Sequence, residues 1–199
     1  MMWHQLRDPL KLAAFLWPEA VFYDKQREII QSVETDDETY VVAGNQLGKD
    51  YVAAFIVLSF FLRHHPVKIV TTSATSRHLT TLWGEMDRLI RTSRYPLTVE
   101  NGGPLVYNHM ELKKRINGVV EKDTFVVGTV ASSENRGEGM AGHHQAHTLF
   151  VSDEASGTPD VAYKMAQGWA KRMLIFGNPN PCSNFFRRGV KAGNLLKVA

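Results

Sequence analysis

Residues 40 to 50 read YVVAGNQLGKD, and an apolar segment from Tyr51 to Leu62 follows them directly. The β-branched start predicts a strand that enters a tight turn, and the apolar segment predicts a buried helix. Gly48 would let the main chain approach an anion closely, while Lys49 would open the helix, whose first N–H groups face that anion. The pattern therefore predicts a phosphate-binding loop, with Lys49 on the β and γ phosphates.

The loop departs at both ends from the pattern G-x-x-x-x-G-K-[ST] of such loops. Ala43 stands where the first glycine belongs, and Asp50 stands where the hydroxyl belongs. Taken alone, the segment could equally be an ordinary strand-to-helix turn. The predicted nucleotide-binding residues of the loop are Gly44, Asn45, Gln46, Leu47, Gly48, Lys49 and Asp50.

A second segment, HTLFVSDEAS from His147 to Ser156, reads as a buried strand that ends in two carboxylates. In nucleotide hydrolases the first such carboxylate holds the water shell of a metal, and the second polarises the attacking water. Asp153 and Glu154 are the candidates for these two roles. A strand end with acidic residues can also simply cap the next element, but the two motifs in this order favour a nucleotide hydrolase.

The chain has 199 residues, a formal net charge of +3 and a pI near 9.0. This length predicts about one globular domain with an ample core, and the weak basic bias permits nucleic-acid binding without indicating it. The single cysteine, Cys182, excludes an internal disulfide framework, and the first residues lack a signal-peptide pattern, so we expect a cytosolic protein. The apolar run is shorter than the roughly 20 residues that span a bilayer, and we expect no membrane role.

The segment from Phe22 to Gln31 predicts a helix capped by Asp24. Within it, the amide of Gln26 could donate to and accept from an adenine edge, and the rings of Phe22 and Tyr23 could stack on the base or wall it off. The alternative is an exposed helix glutamine beside two core aromatics.

The rest of the chain alternates between strand and helix patterns. Strands are predicted at Val67 to Thr72, Thr124 to Thr129 and Arg172 to Phe176, and helices at Leu6 to Leu16, within Ser73 to Ser93, at Pro159 to Gly168 and at Ser183 to Lys191. Turn signals between about residues 95 and 118 predict an excursion of short strands. Its basic run from Lys113 to Arg115 is typical of a solvated face, with a role on a phosphate backbone as the alternative.

Residues 132 to 144 read as a glycine-rich loop before the second motif. Arg136 in this loop is a candidate arginine finger, or else a surface arginine balanced by nearby glutamates. His143 and His147 would share a face of a helix and could suggest a metal site. Because His147 begins the predicted strand instead, we expect no zinc site there.

A rigid turn, GNPNP from Gly177 to Pro181, follows the predicted strand at residues 172–176. The amide of Asn178 in this turn could contact a γ-phosphate or its water, or could simply form the turn. Alternating strands and helices predict an α/β fold with a mostly parallel central sheet and helices on both faces. Such sheets bind ligands at the carboxyl ends of their strands, where the loop, the acidic pair and Asn178 all fall.

Together these motifs resemble the large terminase subunit of tailed bacteriophages, the ATPase motor that packages DNA into a capsid. The resemblance covers most of the chain and rests on the segments around Gln26, at Gly44 to Lys49, at Val70 to Thr75 with Leu82 and Trp83, at Val151 to Asp160 and at Ile175 to Pro179. It implies a P-loop NTPase fold of the additional-strand, catalytic-glutamate type that uses ATP and Mg²⁺.

The resemblance also implies a role for each matching residue. Gln26 would bind adenine and Lys49 the phosphates. Asp153 would hold magnesium, with Asp50 as a second candidate ligand. Glu154 would activate water, and Asn178 would link hydrolysis to movement. The implied partners are double-stranded DNA, the portal protein, the small terminase subunit and further copies in a ring on the portal, although the isolated chain is expected to be a monomer. The implied location is the bacterial host cytoplasm, transiently at the portal vertex of the procapsid.

The chain departs from the family in three respects. Asp50 replaces the usual Ser or Thr, which adds negative charge beside the triphosphate although a carboxylate can ligate magnesium. Ala141 falls where some members have the trans-acting arginine, so Arg136 is the substitute candidate. Large terminases also have a C-terminal RNase-H-like nuclease with clustered acidic residues, and no such cluster follows residue 160. We therefore expect the ATPase half alone, with an N-terminal adenine-side segment at residues 1–38 and a catalytic core at residues 39–199.

Three functions are consistent with these residues. The first is ATP hydrolysis coupled to translocation of duplex DNA. The second is a helicase or another nucleic-acid translocase with a related core. The third is a nucleotide-dependent assembly module in which Asp50 disables hydrolysis and ATP only organises subunits.

Overall fold

The computed structural model describes residues 6–44, 47–131, 142–192 and 195–198. They contain six α-helices and eight strands. The helices are α1 (Pro9–Leu16), α2 (Asp24–Thr35), α3 (Lys49–Arg63), α4 (Ser76–Thr92), α5 (Asp160–Gln167) and α6 (Phe185–Lys191). The strands are β1 (Glu38–Ala43), β2 (Val67–Ser73), β3 (Leu105–Asn108), β4 (Glu111–Ile116), β5 (Val119–Val130), β6 (His147–Asp153), β7 (Arg172–Gly177) and β8 (Leu195–Val198).

The eight strands form one sheet in the order β3-β4-β5-β2-β6-β7-β1-β8. From β5 to β8 all neighbours are parallel, while β3, β4 and β5 pair antiparallel. The predicted α/β fold with a mostly parallel sheet is thus confirmed. Because β7 lies between β1 and β6, the sheet also has the additional strand that the resemblance implies. The carboxyl ends of β1, β6 and β7 meet at one edge, which we call the carboxyl edge, and the opposite one is the amino edge.

Alternate residues of the central strands belong to two separate cores. In β6, Leu149 and Val151 pack into the first core with helices α1 to α4, whereas Phe150 packs into the second core with α5 and α6. The strand is therefore buried on both faces, which explains its continuous apolar sequence. Helices cover both faces of the sheet, as predicted.

Helix α3 follows the phosphate-binding loop and is almost entirely buried. Every residue from Val52 to Arg63 is shielded from solvent, in agreement with the apolar run that predicted a core helix. No helix in the described ranges is long and apolar enough to cross a membrane. The next helix, α4, buries its predicted apolar stripe, and its Trp83 donates from Nε1 to Thr71 Oγ1 at 3.0 Å, which places this indole in the core.

Helix α2 begins one residue earlier than a cap at Asp24 would require. Its N-cap residue is Tyr23, and Asp24 is the first helical residue, so the predicted cap was wrong. At this position the carboxylate still lies at the positive end of the helix dipole. A true aspartate cap occurs at α1, where Asp8 accepts hydrogen bonds from the backbone N–H groups of Leu10 and Lys11.

The predicted excursion of short strands extends the main sheet. Strands β3 and β4 add to β5, and a two-residue turn at Asn117 and Gly118 joins β4 to β5. Both turn residues have positive φ, 50° and 82°, as the favoured hairpin turn requires. Because β5 pairs with β4 in this hairpin, it begins at Val119, five residues before the predicted strand.

Lys114 on β4 is not part of a solvated face, so that interpretation was wrong for this residue. It is 7% exposed, donates to the backbone oxygen of His64 at 2.5 Å and lies 4.9 Å from the centre of the Phe61 ring. Burial lowers the pKa of the Lys114 ammonium to about 8. The neighbouring Lys113 is more exposed and pairs with Glu111 at 2.9 Å, because successive strand residues point to opposite faces.

The last strand, β8, was not predicted. It pairs parallel with β1, from Tyr40 opposite Leu195 to Ala43 opposite Val198. Four residues are too few for a periodic pattern to stand out in the sequence.

Candidate active site

The phosphate-binding loop connects β1 to α3 at the carboxyl edge. Gly48 has φ +69° and caps α3, so the chain reverses there in a left-handed conformation that favours glycine. Lys49 and Asp50 form the first turn of the helix, whose free N–H groups make this end attractive to an anion. Gly44 lies just after β1, and among the described residues a Cβ on Gly44 would meet Leu47 at an ordinary 3.7 Å.

The N-terminal segment supports the loop from the side. The Tyr23 hydroxyl donates to the backbone oxygen of Leu47 at 2.7 Å. Gln26 is 4% exposed, and its Nε2 would lie 3.0 Å from a Cβ on Gly48. The alternative of an exposed helix glutamine is therefore wrong for Gln26. Of the two aromatics, Phe22 is buried in the core, whereas Tyr23 is 44% exposed.

Lys49 pairs with two acidic residues at the end of β6, Asp153 within the strand and Glu154 just after it. Its Nζ lies 2.8 Å from Glu154 Oε2 and 3.5 Å from Asp153 Oδ1, and the three side chains are between 4% and 12% exposed. Burial alone would lower the pKa of Lys49, but the charges of Asp153 and Glu154 outweigh it, so the pKa is raised. Burial raises the pKa of the Asp153 carboxyl, and Lys49 opposes part of that shift. Lys49 thus remains protonated at neutral pH.

The carboxylate of Glu154 also accepts hydrogen bonds from the residue after β7 and from Ser156 in its own turn. Asn178 follows β7, and its Nδ2 donates to Glu154 Oε1 at 3.0 Å, with Oε2 at 3.4 Å. Ser156 Oγ also donates to Oε1 at 3.4 Å. The structure therefore places the Asn178 amide on the carboxylate of Glu154. The sequence suggested that Asn178 contacts phosphate or water, and it did not predict the hydrogen bond to Glu154.

Asp50 lies in the same first turn of α3 as Lys49. Burial raises the pKa of the Asp50 carboxyl, Lys49 opposes that shift, and Glu85 of α4 adds to it. The carboxyl is thus easier to protonate than an exposed aspartate. Its negative form would repel a triphosphate bound at the N-terminus of the helix.

The site offers two carboxylates, Asp153 and Asp50, as possible magnesium ligands. Mg²⁺ is usually held by one or two carboxylates together with substrate phosphates and waters, rather than by an all-protein cage. Asp153 is a nearly buried carboxylate at the carboxyl edge, and Asp50 lies in the first turn of the neighbouring helix. Across the described residues, no group of three or more His, Cys, Asp or Glu side chains could hold a metal alone. These residues therefore suit a metal that arrives with a nucleotide.

Several predicted site residues lie outside the described ranges: Asn45, Gln46 and Arg136. Of the remainder, the structure brings together Lys49, Asp153, Glu154 and Asn178 by direct contact, and Gln26 lies against Gly48. Sequence reasoning missed the hydroxyl bond from Tyr23 to the loop and the contacts of Ser156 and Asn184 around Glu154. Tyr23 stood out only as an aromatic beside Gln26, and the other two residues had no motif of their own.

The rings of His143 and His147 lie at the amino edge, away from the loop. His147 begins β6, as predicted, and its ring stacks on that of His64 with 4.4 Å between centroids. His143 contacts the rings of Phe125 and Trp169 instead. These contacts are aromatic packing.

Comparison with known proteins gives one curated sequence relative and several solved structures. No family model matches the chain. Over 182 residues it is 22% identical to the probable terminase large subunit of Enterobacteria phage P7, and the match covers 85% of this chain and 36% of that protein. The chain therefore spans about a third of the length of this relative.

The solved structures that superpose on this chain are phage large terminases. The large terminase ATPase domain of Thermus phage P74-26 superposes with a TM-score of 0.63 at 16% identity, covering 89% of this chain and 72% of that one. The large terminase of another thermophilic bacteriophage, solved in complex with ADP, superposes with a TM-score of 0.59 at 14% identity, covering 89% and 45%. The chain is thus similar in sequence to a phage terminase large subunit and has the P-loop NTPase fold of the terminase ATPase domain.

Proposed function

We propose that this chain is the ATPase domain of a phage large terminase, which hydrolyses ATP with Mg²⁺ to drive double-stranded DNA into a procapsid. One observation carries the proposal. Lys49, Asp153, Glu154 and Asn178 come from two strand ends and a helix N-terminus, yet contact one another at the carboxyl edge. The terminase relatives and the ADP complex of the thermophilic phage terminase support the same nucleotide chemistry.

In this proposal each side chain has a separate task. Lys49 and the N–H groups of the first turn of α3 bind the β and γ phosphates. Asp153 would hold magnesium, which would neutralise phosphate charge when bound. Glu154 accepts a proton from the attacking water, the water oxygen bonds to the γ-phosphorus, and the bond from that phosphorus to the bridging oxygen breaks to give ADP and phosphate. Asn178 orients the Glu154 carboxylate.

The partners follow from the resemblance to terminases. We propose that the chain acts on duplex DNA in a homo-oligomeric ring on the portal, with a small terminase subunit, in the host cytoplasm and at the portal vertex. Arg136 is the candidate for a trans-acting arginine, and Gln26 is the candidate for adenine recognition because it is buried against the loop. The helicase alternative predicts turnover that requires single strands and separates them.

The proposal is tested by measuring magnesium-dependent ATP turnover in three proteins: the wild-type chain, Lys49→Ala and Glu154→Gln. We expect Lys49→Ala to lose nucleotide affinity, and Glu154→Gln to keep it while turnover falls by roughly 10² to 10⁴. Glu100→Gln, an exposed carboxyl in the 3-10 turn Val99–Asn101, is the matched control and should keep full turnover. The assay needs high protein concentration, because an arginine supplied in trans is worth ~10³ to 10⁵ in rate.

Asp50 favours a second candidate, a nucleotide-dependent assembly module. Its carboxylate stands where a hydroxyl normally ligates magnesium, and charge at this point opposes the triphosphate. In that case the wild-type chain binds ATP without turnover, and Glu154→Gln changes nothing. This outcome would replace the hydrolase proposal.

A further inference from the structure

Asn184, just before α6, holds a short backbone turn through its side-chain amide. Its Nδ2 donates to the carbonyl oxygens of Ala155 at 2.7 Å, Thr158 at 2.8 Å and Ser156 at 3.3 Å. Because all three neighbours are acceptors, the amide nitrogen and not the oxygen must face them. The two N–H donors of one side chain thus serve the carbonyls of Ala155 and Thr158, and the longer contact to Ser156 shares one of them.

This turn directly follows Glu154 and starts from a strained residue. Glu154 has φ +51° and ψ +47°, a left-handed conformation that costs a non-glycine residue about 1–2 kcal/mol. Such a conformation persists when the surrounding structure determines it from several sides. Within the turn, Gly157 N–H donates to the Glu154 carbonyl at 3.0 Å and Thr158 N–H to the Ala155 carbonyl at 3.2 Å. Asn184 adds contacts that come from outside the turn.

Helix α6 fixes the position of Asn184. Asp160 of α5 accepts hydrogen bonds from Phe185 N–H at 2.6 Å and from Arg188 Nη2 at 2.9 Å. The ring of Phe186 packs so closely on Gly177 of β7 that a Cβ on Gly177 would lie 2.5 Å from it. The amide of Asn184 is therefore held against the turn by an anchored helix.

Both ends of the segment from Asn178 to Asn184 thus reach the region of Glu154. Asn178 donates to the carboxylate itself, and Asn184 holds the backbone that follows it. We propose that Asn184 is a positioning residue, which keeps the turn after Glu154 in place so that the carboxylate stays beside Lys49 and Asn178. This inference rests on the proposed ATPase function, and it makes the position of α6 part of the active-site geometry.

Three substitutions of Asn184 separate its donor from its size. Asn184→Ala removes the amide, and Asn184→Asp keeps the shape but places a carboxylate against three carbonyl oxygens. Asn184→Gln keeps both N–H donors on a longer side chain. We expect kcat for ATP to fall at least about 10-fold in the Ala and Asp variants and to recover in part in the Gln variant, with ATP affinity changed by less than about two-fold. Ser183→Ala, at the preceding residue, is the matched control and should keep wild-type values.

Hydrogen exchange provides a readout that does not depend on turnover. In Asn184→Ala we expect the amides of Gly157 and Thr158 to lose about 10-fold in protection while those of β6 keep theirs, with a melting temperature lowered by no more than about 4 °C. Unchanged exchange at the turn would overturn the proposal, as would wild-type kcat in all three variants, or a loss of ATP affinity in parallel with kcat. If the wild-type chain does not hydrolyse ATP, the proposed function fails, and the exchange result still decides whether Asn184 holds the turn.

Discussion

At the scale of single residues, two left-handed backbone positions shape the site. Gly48 has φ +69° at the start of α3, and Glu154 has φ +51° at the end of β6. Glycine adopts this conformation at almost no steric cost, whereas for glutamate it costs about 1–2 kcal/mol. The strain therefore falls on the residue that has the candidate catalytic carboxylate, and the contacts from Asn178 and Asn184 offset it.

Gly48→Ala tests the need for glycine in the loop. The new Cβ would require a left-handed alanine and would lie 3.0 Å from Gln26 Nε2, so we expect the free energy of unfolding to fall by about 1–2 kcal/mol and ATP affinity to weaken. Gly84→Ala is the matched control, since Gly84 lies in α4 and no atom of the described residues comes within 4 Å of the added Cβ. That change should stabilise the chain by about 0.5–1 kcal/mol. Thermal unfolding measures the stability of the two variants, and nucleotide titration measures their ATP affinity. Equal effects at the two glycines would contradict the loop geometry.

At the scale of elements, an ion pair between a buried arginine and a partly exposed glutamate joins α2 to the end of α3. The guanidinium of Arg63 contacts both carboxylate oxygens of Glu34, with Nη1 to Oε2 at 2.9 Å, and Nη1 also donates to the Arg7 carbonyl at 2.7 Å. The Arg63 side chain is 2% exposed and that of Glu34 27%. A second pair at this amino edge, Asp37 with Arg172 at 2.7 Å, has its aspartate 92% exposed. The two arginine–carboxylate pairs thus differ strongly in burial.

Burial should decide how much each pair contributes. In Glu34→Ala the charge of Arg63 remains in the interior without its partner, so we expect a loss of about 3 kcal/mol in the free energy of unfolding. In Asp37→Ala the removed carboxylate is the solvated member of its pair, and the Arg172 side chain, 28% exposed, still donates to the Glu34 carbonyl at 3.3 Å. The loss should therefore stay below about 0.5 kcal/mol. Urea unfolding of both variants measures the difference. A loss in Glu34→Ala as small as that in Asp37→Ala would show that water reaches the Arg63 guanidinium.

The elements that could be predicted from the sequence are those with local patterns. The turn from β1 into α3, the strand that ends at Asp153 and the buried α3 follow from neighbouring residues, and the edge where they meet follows from the parallel sheet. Lys114 was misjudged because its burial depends on packing against Phe61 and His64, about 50 residues away. Asn184 could not be recognised, because its acceptors lie 26 to 29 residues earlier and no local motif joins them.

Burial of Gln26 also depended on tertiary structure. Its position in an amphipathic helix left both an exposed and a buried glutamine open, and the approach of the loop at Gly48 decides between them. Strand β8 became a strand through pairing with β1, since its four residues have no pattern of their own. In each case the missing information was a contact distant in sequence.

At the scale of the whole molecule, α3 and β6 both connect the carboxyl edge with the amino edge. At the carboxyl edge Lys49 of α3 pairs with Asp153 and Glu154 at the end of β6. At the amino edge the ring of His64, which follows α3, stacks on that of His147, which begins β6, and also contacts Phe60 with 4.2 Å between centroids. The same helix and strand are thus joined at both ends, by charges at one end and by neutral rings at the other.

The His64 ring should make the stability of the whole chain depend on pH. Burial, helped by the charges of Arg63 and Lys114 and by His147, lowers the pKa of His64 from 6.5 to about 3. The stabilisation is fully present above pH 6.5 and is lost as the pH falls towards 3, because the unfolded chain binds the proton first. After allowance for solvent screening, we expect the free energy of unfolding to fall by about 1–2 kcal/mol between roughly pH 7.5 and 5 through this group.

His64→Phe isolates this contribution, because phenylalanine keeps the aromatic stack and removes the titration. Urea unfolding at about pH 7.5 and pH 5 should show a smaller loss of stability in His64→Phe than in the wild-type chain, by the same roughly 1–2 kcal/mol. His65→Gln, at the exposed adjacent histidine, is the control and should lose as much as the wild type. Equal losses in all three chains would mean that the stacked ring takes up its proton as readily when folded as when unfolded. The amino edge would then not restrict the pH range in which the Lys49 site at the opposite edge stays assembled.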